Sequence, residues 1–270
     1  MFQSMQAVPL GDVTEAMNDG FSDYVVPMQM TEEQLANRIE KQGLSKEHSV
    51  VYIEEGKIAA VLLLGIDVFQ ETKQAWIGGM AVRPKFRGRG IARKLLDFAV
   101  KTAEEADCVE VLLEVITENT RAWQIYEAYG FETINELMVA GLGALPSPDD
   151  GLPDIRFEKE EEDVTEPYRT PWQNRLERTG NAYHICLDGE RVGWISFMQR
   201  EAKAMVLQMQ VTDQSLTARI PAILQQLKVD FGIEQLSVHN FMMDTKEYEG
   251  LADLVAGDVI QQYQMRKSIG

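Results

Sequence analysis

The residue types best suited to chemistry gather in one short stretch of this sequence. Gly78 and Gly79 fall inside a pattern that otherwise reads as a strand, and Gly88 and Gly90 follow in the loop RGRGIA of residues 87–92. A glycine pair weakens a strand unless a bulge or a close backbone approach is needed there, and a ligand lying alongside is one reason for both. The loop runs straight into a helical pattern, so its N–H groups and the positive end of the helix dipole converge on one point suited to an anion. Gly88 and Gly90 leave room for a phosphate, Ala92 keeps the first turn slim, and Arg83, Lys85, Arg87 and Arg89 add positive charge. Read on its own, RGRG is equally a solvated turn. It is not the dinucleotide fingerprint Gly-x-Gly-x-x-Gly, nor a P-loop, because the required third glycine and Gly-Lys-Ser/Thr are absent.

The elements that must position this loop follow from periodicity. Helices are predicted over residues 13–20 and 31–43, the second capped at Thr31 with Glu33 and Gln34 close behind. Strands over 50–53 and 57–69 meet at Glu55-Gly56-Lys57 as a hairpin, and residues 74–82 form another strand. Leu95, Leu96, Ala99 and Ala103 make one face of a helix over 93–105. A buried strand over 109–116, a helix over 119–129 stopped by Gly130, and a strand pair over 131–140 complete an α/β domain with a mixed sheet. Residues 141–154 concentrate glycine, proline and aspartate as a linker does, which divides the chain into 1–140, 141–154 and 155–270. The acidic run over 158–166 reads as a solvated edge.

The second half repeats the first when Met80 is laid on Met209. Val82 then meets Val211, Leu95 meets Leu224, Glu55-Gly56 finds Asp188-Gly189, and Gly130 finds Gly257. In this register Arg87, Gly90 and Ala92 become Leu216, Arg219 and Pro221, so the repeat keeps the scaffold and loses the special residues.

A chain of 270 residues holds two domains of modest size, with 45% hydrophobic and 26% charged residues in ordinary soluble proportion. A formal charge of -17 argues against nucleic acid and anionic membranes as partners and favours a cationic small molecule. The first residues lack a signal-peptide pattern, so a cytoplasmic location is expected. Cys108 and Cys186 form no disulfide framework and read as buried thiols, and with three histidines no metal site is expected.

Arg87-x-x-Gly90-x-Ala92 after MAVRPKF resembles the pyrophosphate loop of the GNAT acetyltransferase superfamily. Asn119-x-x-Ala122-x-x-x-Tyr126-x-x-x-Gly130-Phe131 resembles the second half of that family's acetyl-CoA site. The similarity covers roughly residues 5–140. FSDYVVPM at residues 21–28 is similar to a bacterial subgroup with two tandem GNAT domains. The resemblance implies that the pantetheine arm lies in a splay between the strand ending at Val82 and the strand over 109–116. The pyrophosphate would rest on Arg87, Gly88, Arg89, Gly90, Ile91 and Ala92. Main-chain groups of Ala81, Val82 and Arg83 would hold the arm, with the Val82 N–H polarising the thioester carbonyl.

Asn119 and Tyr126 stand seven residues apart and so share one helical face. Tyr126 would serve as proton donor to the departing thiolate, or else is a core aromatic. Glu114, inside the apolar strand VLLEVI, is the candidate base for an amine that arrives as ammonium, because burial raises a carboxyl pKa; a structural arginine partner is the alternative. Asp23, Glu118 or a water relay are further options for the base.

The whole reading is an N-acetyltransferase moving an acetyl group from acetyl-CoA to a primary amine by direct attack, with a degenerate second GNAT-like domain. Trp172 and Trp194 belong either to that domain's own core or to a contact closing the acceptor side. Rival readings are an acetyl-CoA-binding sensor without turnover and a structural pair of domains without a ligand. The assembly is expected to be a monomer or homodimer.

Overall fold

Local pattern and non-local pairing together build two compact units, Met1–Ile134 with Tyr263–Gly270, and Asn135–Gln262. The structure, a computed structural model, describes residues 1–24, 26, 28–146, 154–160, 164–179 and 181–270.

The first unit opens with β1 (Phe2–Ser4), α1 (Leu10–Gly20) and α2 (Glu32–Lys41). At the start of α2 the Thr31 hydroxyl accepts from the Gln34 N–H at 3.2 Å, while Gln34 Oε1 accepts from the Thr31 N–H at 2.8 Å. This reciprocal pair satisfies two of the helix's orphan donors. The strands β2 (Leu44–Glu54), β3 (Lys57–Phe69) and β4 (Thr72–Val82) run antiparallel, β2 and β3 joined through Glu55-Gly56 at positive φ. Residues 59–65 of β3 are all buried, as expected of a central strand covered on both faces. Helix α3 (Ile91–Glu105) buries Leu95, Leu96, Ala99 and Ala103, and leads to β5 (Glu110–Ile116) and α4 (Thr120–Tyr129).

Strand β5 lies parallel to β4, and their ladder runs from Gln74↔Glu110 to Ile77↔Leu113. Beyond that point each strand continues without a partner in the other, which is the splay expected from the sequence. Beside β5 comes a strand from the far end of the chain: the Ile269 N–H donates to Val109 O at 2.8 Å, and Met265 is buried in the first unit's core.

The second unit contains most of β6 (Glu132–Leu142), then β7 (Ile155–Glu160), α5 (Leu176–Thr179), β8 (Ala182–Leu187), β9 (Glu190–Arg200), β10 (Lys203–Val211), α6 (Ile220–Phe231), β11 (Gln235–Met242), α7 (Lys246–Leu251) and the first part of β12 (Val255–Ser268). Its strand order is β6-β11-β10-β9-β8-β7. Again only one neighbouring pair among β7 to β11 is parallel, β10 with β11, and their ladder ends at Val206↔Val238. The two turns matched in the sequence also agree in backbone, Asp188 and Gly189 having the same positive φ as Glu55 and Gly56.

Three expectations change. Residues 131–140 give one strand, β6, rather than a pair. Gly141 and Leu142 belong to β6 rather than to a linker, and residues 147–153 of the expected linker lie outside the described residues. The compact units therefore divide the chain at Ile134/Asn135 and return residues 263–270 to the first unit, a pairing that no local pattern encodes. Within the acidic run, Glu158 is exposed and pairs with Arg191 at 3.3 Å, but Glu166 is not a solvated edge. It accepts from Gln208 Nε2 at 2.6 Å and the Leu176 N–H at 2.9 Å, and burial pushes its carboxyl pKa up. Glu161, Glu162 and Asp163 lie outside the described residues.

Both cysteines are buried free thiols. Among the described residues no group of three His, Cys, Asp or Glu side chains could hold a metal ion, and no helix is long and apolar enough to cross a membrane.

Candidate functional site

The loop between β4 and α3 presents main-chain donors with nothing in the protein to receive them. Among the described residues, the N–H groups of Gly88, Arg89, Gly90, Ile91 and Ala92 donate to no protein acceptor, and α3 begins without a side-chain cap. Gly88 and Gly90 have φ of +76° and +74°, and a Cβ built on either would meet no atom within 4 Å. Their first reason is thus the left-handed backbone, which L side chains adopt only at a cost; the open space in front of them is the second. A helix start with free N–H groups and no acidic residue in its first turn fits an anion.

The arginines play a different part from the one their charge suggests. Arg87 donates from Nε to Val82 O at 3.0 Å, from Nη2 to Gly20 O at 2.8 Å and from Nη2 to Asp23 Oδ1 at 2.8 Å. It ties the end of α1 and the segment after it to β4, and its hydrogen bond holds the Asp23 carboxyl below the ordinary range. Arg83 pairs with Asp19 and with Glu15, and Arg89 with Glu55 at 2.8 Å and Glu54 at 3.5 Å. Lys85 stands 4.0 Å from Glu55. The local reversal of sign expected from four cations is largely met by the protein's own carboxylates, so the main chain, not the guanidinium groups, is what the loop offers an anion.

Strand β4 carries the second part of the site. The Arg83 N–H donates to Ala59 O at 2.9 Å. Main-chain groups alternate in direction along an antiparallel strand, so Ala81 also faces β3, while Met80 and Val82 face the side where β5 has separated. Of Ala81, Val82 and Arg83, only Val82 turns its N–H toward the splay. The Gly78-Gly79 pair also has a local cause. Register slips between Leu63↔Gly79 and Leu64↔Ile77, making Gly78 the bulged residue. A Cβ there would lie 2.4 Å from Leu44 Cδ2, and the Gly78 carbonyl accepts from Arg38 Nη2 at 2.7 Å. The close approach is made by the protein's own side chains.

On the β5 side of the splay, Asn119 is the N-cap of α4, its Oδ1 accepting from the Ala122 N–H at 3.2 Å. Burial raises the Tyr24 hydroxyl pKa, and the nearby Asn119 side chain and Ile116 main chain act against that rise. Tyr126 is 7% exposed, and burial followed by the nearby Tyr24 pushes its hydroxyl well above the ordinary tyrosine range. Tyr24, Ile116, Asn119 and Tyr126 therefore form one cluster. Sequence reasoning held Tyr24 only as part of FSDYVVPM and gave it no role; its ring packs edge-on against Phe21 at 5.2 Å. Glu114 is half-buried and its charge acts on Arg38, the arginine partner that the sequence left as the alternative to a catalytic base. Arg38 itself was missed, because an arginine in the last turn of a helix reads as a solvated end. Asp23 is committed to Arg87, and Glu118 Oε2 accepts from Thr117 Oγ1 at 3.2 Å. In the second unit Trp172 and Trp194 are buried, and Trp194 Nε1 donates to Gln210 Oε1 of the same unit at 3.0 Å.

A parallel strand pair splays beside an uncapped helix start, with an N–H of one strand facing the splay. Residues 13–131, most of the first unit, match the model of the acetyltransferase (GNAT) family. Over its whole length the chain shares its fold with solved structures. A GCN5-related N-acetyltransferase from Sphaerobacter thermophilus superposes with a TM-score of 0.65 at 13% identity, covering 99% of this chain and 95% of that one. A tandem GNAT protein from the clavulanic acid biosynthesis pathway gives 0.64 at 12% identity, covering 100% and 98%. In sequence, the chain is 40% identical over 58 residues to N-alpha-acetyltransferase 30 of Saccharomyces cerevisiae, 22% of this chain and 33% of that relative. It is 32% identical over 77 residues to N-alpha-acetyltransferase MAK3 of Arabidopsis thaliana, 28% of this chain and 40% of that relative. The chain spans well under half the length of these curated relatives.

Proposed function

We propose that the protein is an N-acetyltransferase in which the first unit binds acetyl-CoA and passes its acetyl group to a primary amine. The observation that carries this reading is the row of unengaged N–H groups from Gly88 to Ala92 at the start of α3, where both glycines are left-handed and face open space. The residues present fit the donor. Gly88 to Ala92 would hold its pyrophosphate through the main chain, with Arg87 and Arg89 shaping the loop through their own carboxylate partners. Asn119 would line the β5 side of the arm. The second unit keeps the scaffold without a donor site.

When bound, acetyl-CoA supplies an acetyl group already activated as a thioester. The chain's own contribution begins with the Val82 N–H, which faces the splay and can donate to an oxygen on which negative charge develops. The Tyr126 hydroxyl, kept protonated by burial, holds a proton for a sulfur leaving as thiolate. The charge of Glu114 acts on Arg38, which suits a structural carboxylate better than a base tuned by burial, so the ammonium proton of the acceptor is best passed to water at the splay's mouth. The chain's formal charge of -17 favours a cationic acceptor, and the N-alpha-acetyltransferase relatives support an amine. Acetyl-CoA as donor makes the cytoplasm the proposed compartment.

Release of thiol from acetyl-CoA across a panel of amines tests the proposal, with Tyr126→Phe as the discriminating variant. We expect an unchanged affinity for coenzyme A and a turnover lowered about a hundredfold, the lower end of the contribution of a positioned proton donor. Equal turnover in both proteins would remove Tyr126 from the chemistry. Coenzyme A binding without turnover of any amine would instead favour the sensor reading.

A further inference from the structure

The ladder between β4 and β5 stops at Ile77↔Leu113, so the first residues beyond the last pair are Gly78 and Glu114. At this vertex sits Arg38 from α2. Its Nη2 donates to the carbonyl of the bulged Gly78 at 2.7 Å, the charge of Glu114 favours its guanidinium, and its Nε donates to Gln42 Oε1 at 3.2 Å. The second unit repeats the arrangement with different chemistry. There the ladder stops at Val206↔Val238, and the next residues are Leu207 and His239. Leu207 is again the bulged residue, its register slipping between Val206 and Gln208. The fully buried Asn174 donates from Nδ2 to Leu207 O at 2.8 Å and to His239 O at 2.8 Å. Arg38 comes from the helix before β2, and Asn174 from the segment between β7 and β8.

Two units that share little sequence therefore place a side-chain N–H donor at the same point of the same fold. A bulge turns one carbonyl out of the ladder, and a buried carbonyl without a donor is costly. A donor that enters from outside the sheet meets that need and stands where the two strands would otherwise pair on. We infer that Arg38 is a positioning residue of the donor site: by taking the Gly78 carbonyl it keeps β4 apart from β5 and sets the direction of the Val82 N–H. The inference rests on the proposed acetyl-CoA reading of the splay.

Its test is calorimetric titration with coenzyme A of the full-length wild type, Arg38→Met, which removes the donor, and Arg38→Lys, which retains one. Arg38→Met should bind about tenfold more weakly or worse, the fold-change that corresponds to one buried carbonyl left without a partner. Arg38→Lys should return to within about threefold of wild type, a rescue that lost packing alone would not give. If Arg38→Met does not fold, Arg38→Gln takes its place, since its shorter side chain falls short of the Gly78 carbonyl, with the same loss expected. Wild-type affinity in the donorless variant, or a loss in Arg38→Lys equal to it, overturns the inference and leaves the function intact. A wild type that binds no coenzyme A overturns the functional reading itself.

Discussion

Val82 and Val211 occupy the same place in two copies of one scaffold and face opposite circumstances. Each ends the strand that splays from its parallel neighbour, and each is followed by a residue whose N–H returns to the antiparallel partner, Arg83 to Ala59 O and Thr212 to Val192 O at 2.8 Å. The Val82 N–H faces the splay of the first unit. The Val211 N–H is already taken, donating at 2.8 Å to Oε1 of the buried Glu247 from α7. The loops that follow differ in the same sense. Residues 88–92 leave their N–H groups open, whereas Asp213 accepts from both the N–H and the hydroxyl of Ser215, at 2.8 and 2.6 Å, and its carboxyl pKa is thereby lowered. Gly90 in the left-handed region becomes Arg219 in the right-handed helical region, and Ala92 becomes Pro221, which has no N–H to give. The second unit meets with its own carboxylates donors of the kind that the first unit leaves open.

The largest effect expected from this contrast is at Gly90. Gly90→Glu places in the first unit the kind of carboxylate that fills the second, and coenzyme A affinity should fall about a hundredfold or more, roughly 2.7 kcal/mol. Gly90→Ala carries the same backbone strain, about 1 to 2 kcal/mol of stability, without the charge. If both variants lose affinity equally, strain rather than anion exclusion explains the loop. A smaller effect is expected when the second unit is made to resemble the first. Glu247→Ala strips the buried Val211 N–H of its acceptor and should cost about 1 to 3 kcal/mol in chemical denaturation, without creating a second coenzyme A site. Glu247→Gln, which keeps an acceptor oxygen, should cost much less. A gain of coenzyme A binding in Glu247→Ala would mean that the carboxylate alone closes the second splay.

The smallest effect concerns acid. Burial holds the His239 imidazole pKa below its ordinary value, so its folded form resists protonation. The unfolded chain takes up that proton below about pH 6.5, so it binds more protons than the folded chain there, and stability falls as pH drops through that range. Melting temperatures followed from pH 7 to pH 5 should fall more steeply in the wild type than in His239→Gln. Parallel curves would assign the acid sensitivity elsewhere.

Much of this contrast was legible before any coordinates. The glycine positions, the helix after them, the turns at Glu55-Gly56 and Asp188-Gly189, and the loss of Gly90 and Ala92 in the repeat all follow from local spacing. What escaped was pairing between distant residues. Nothing near residue 265 says that Met265 fills the first unit's core, because strand partners are chosen by the other strand's exposed edge. Arg87 looked like a phosphate ligand because its loop is basic, yet Gly20 and Asp23, more than sixty positions earlier, claim it. Arg38 drew no reading from the sequence for the same reason: its acceptor, Gly78, is forty residues away.

The decisive quantity is the number of anion sites in one chain. Titrating the full-length protein with coenzyme A in a calorimeter should give one site per chain, lost in Gly90→Glu and retained in Glu247→Ala. Two sites per chain, or binding that survives Gly90→Glu unchanged, would contradict it.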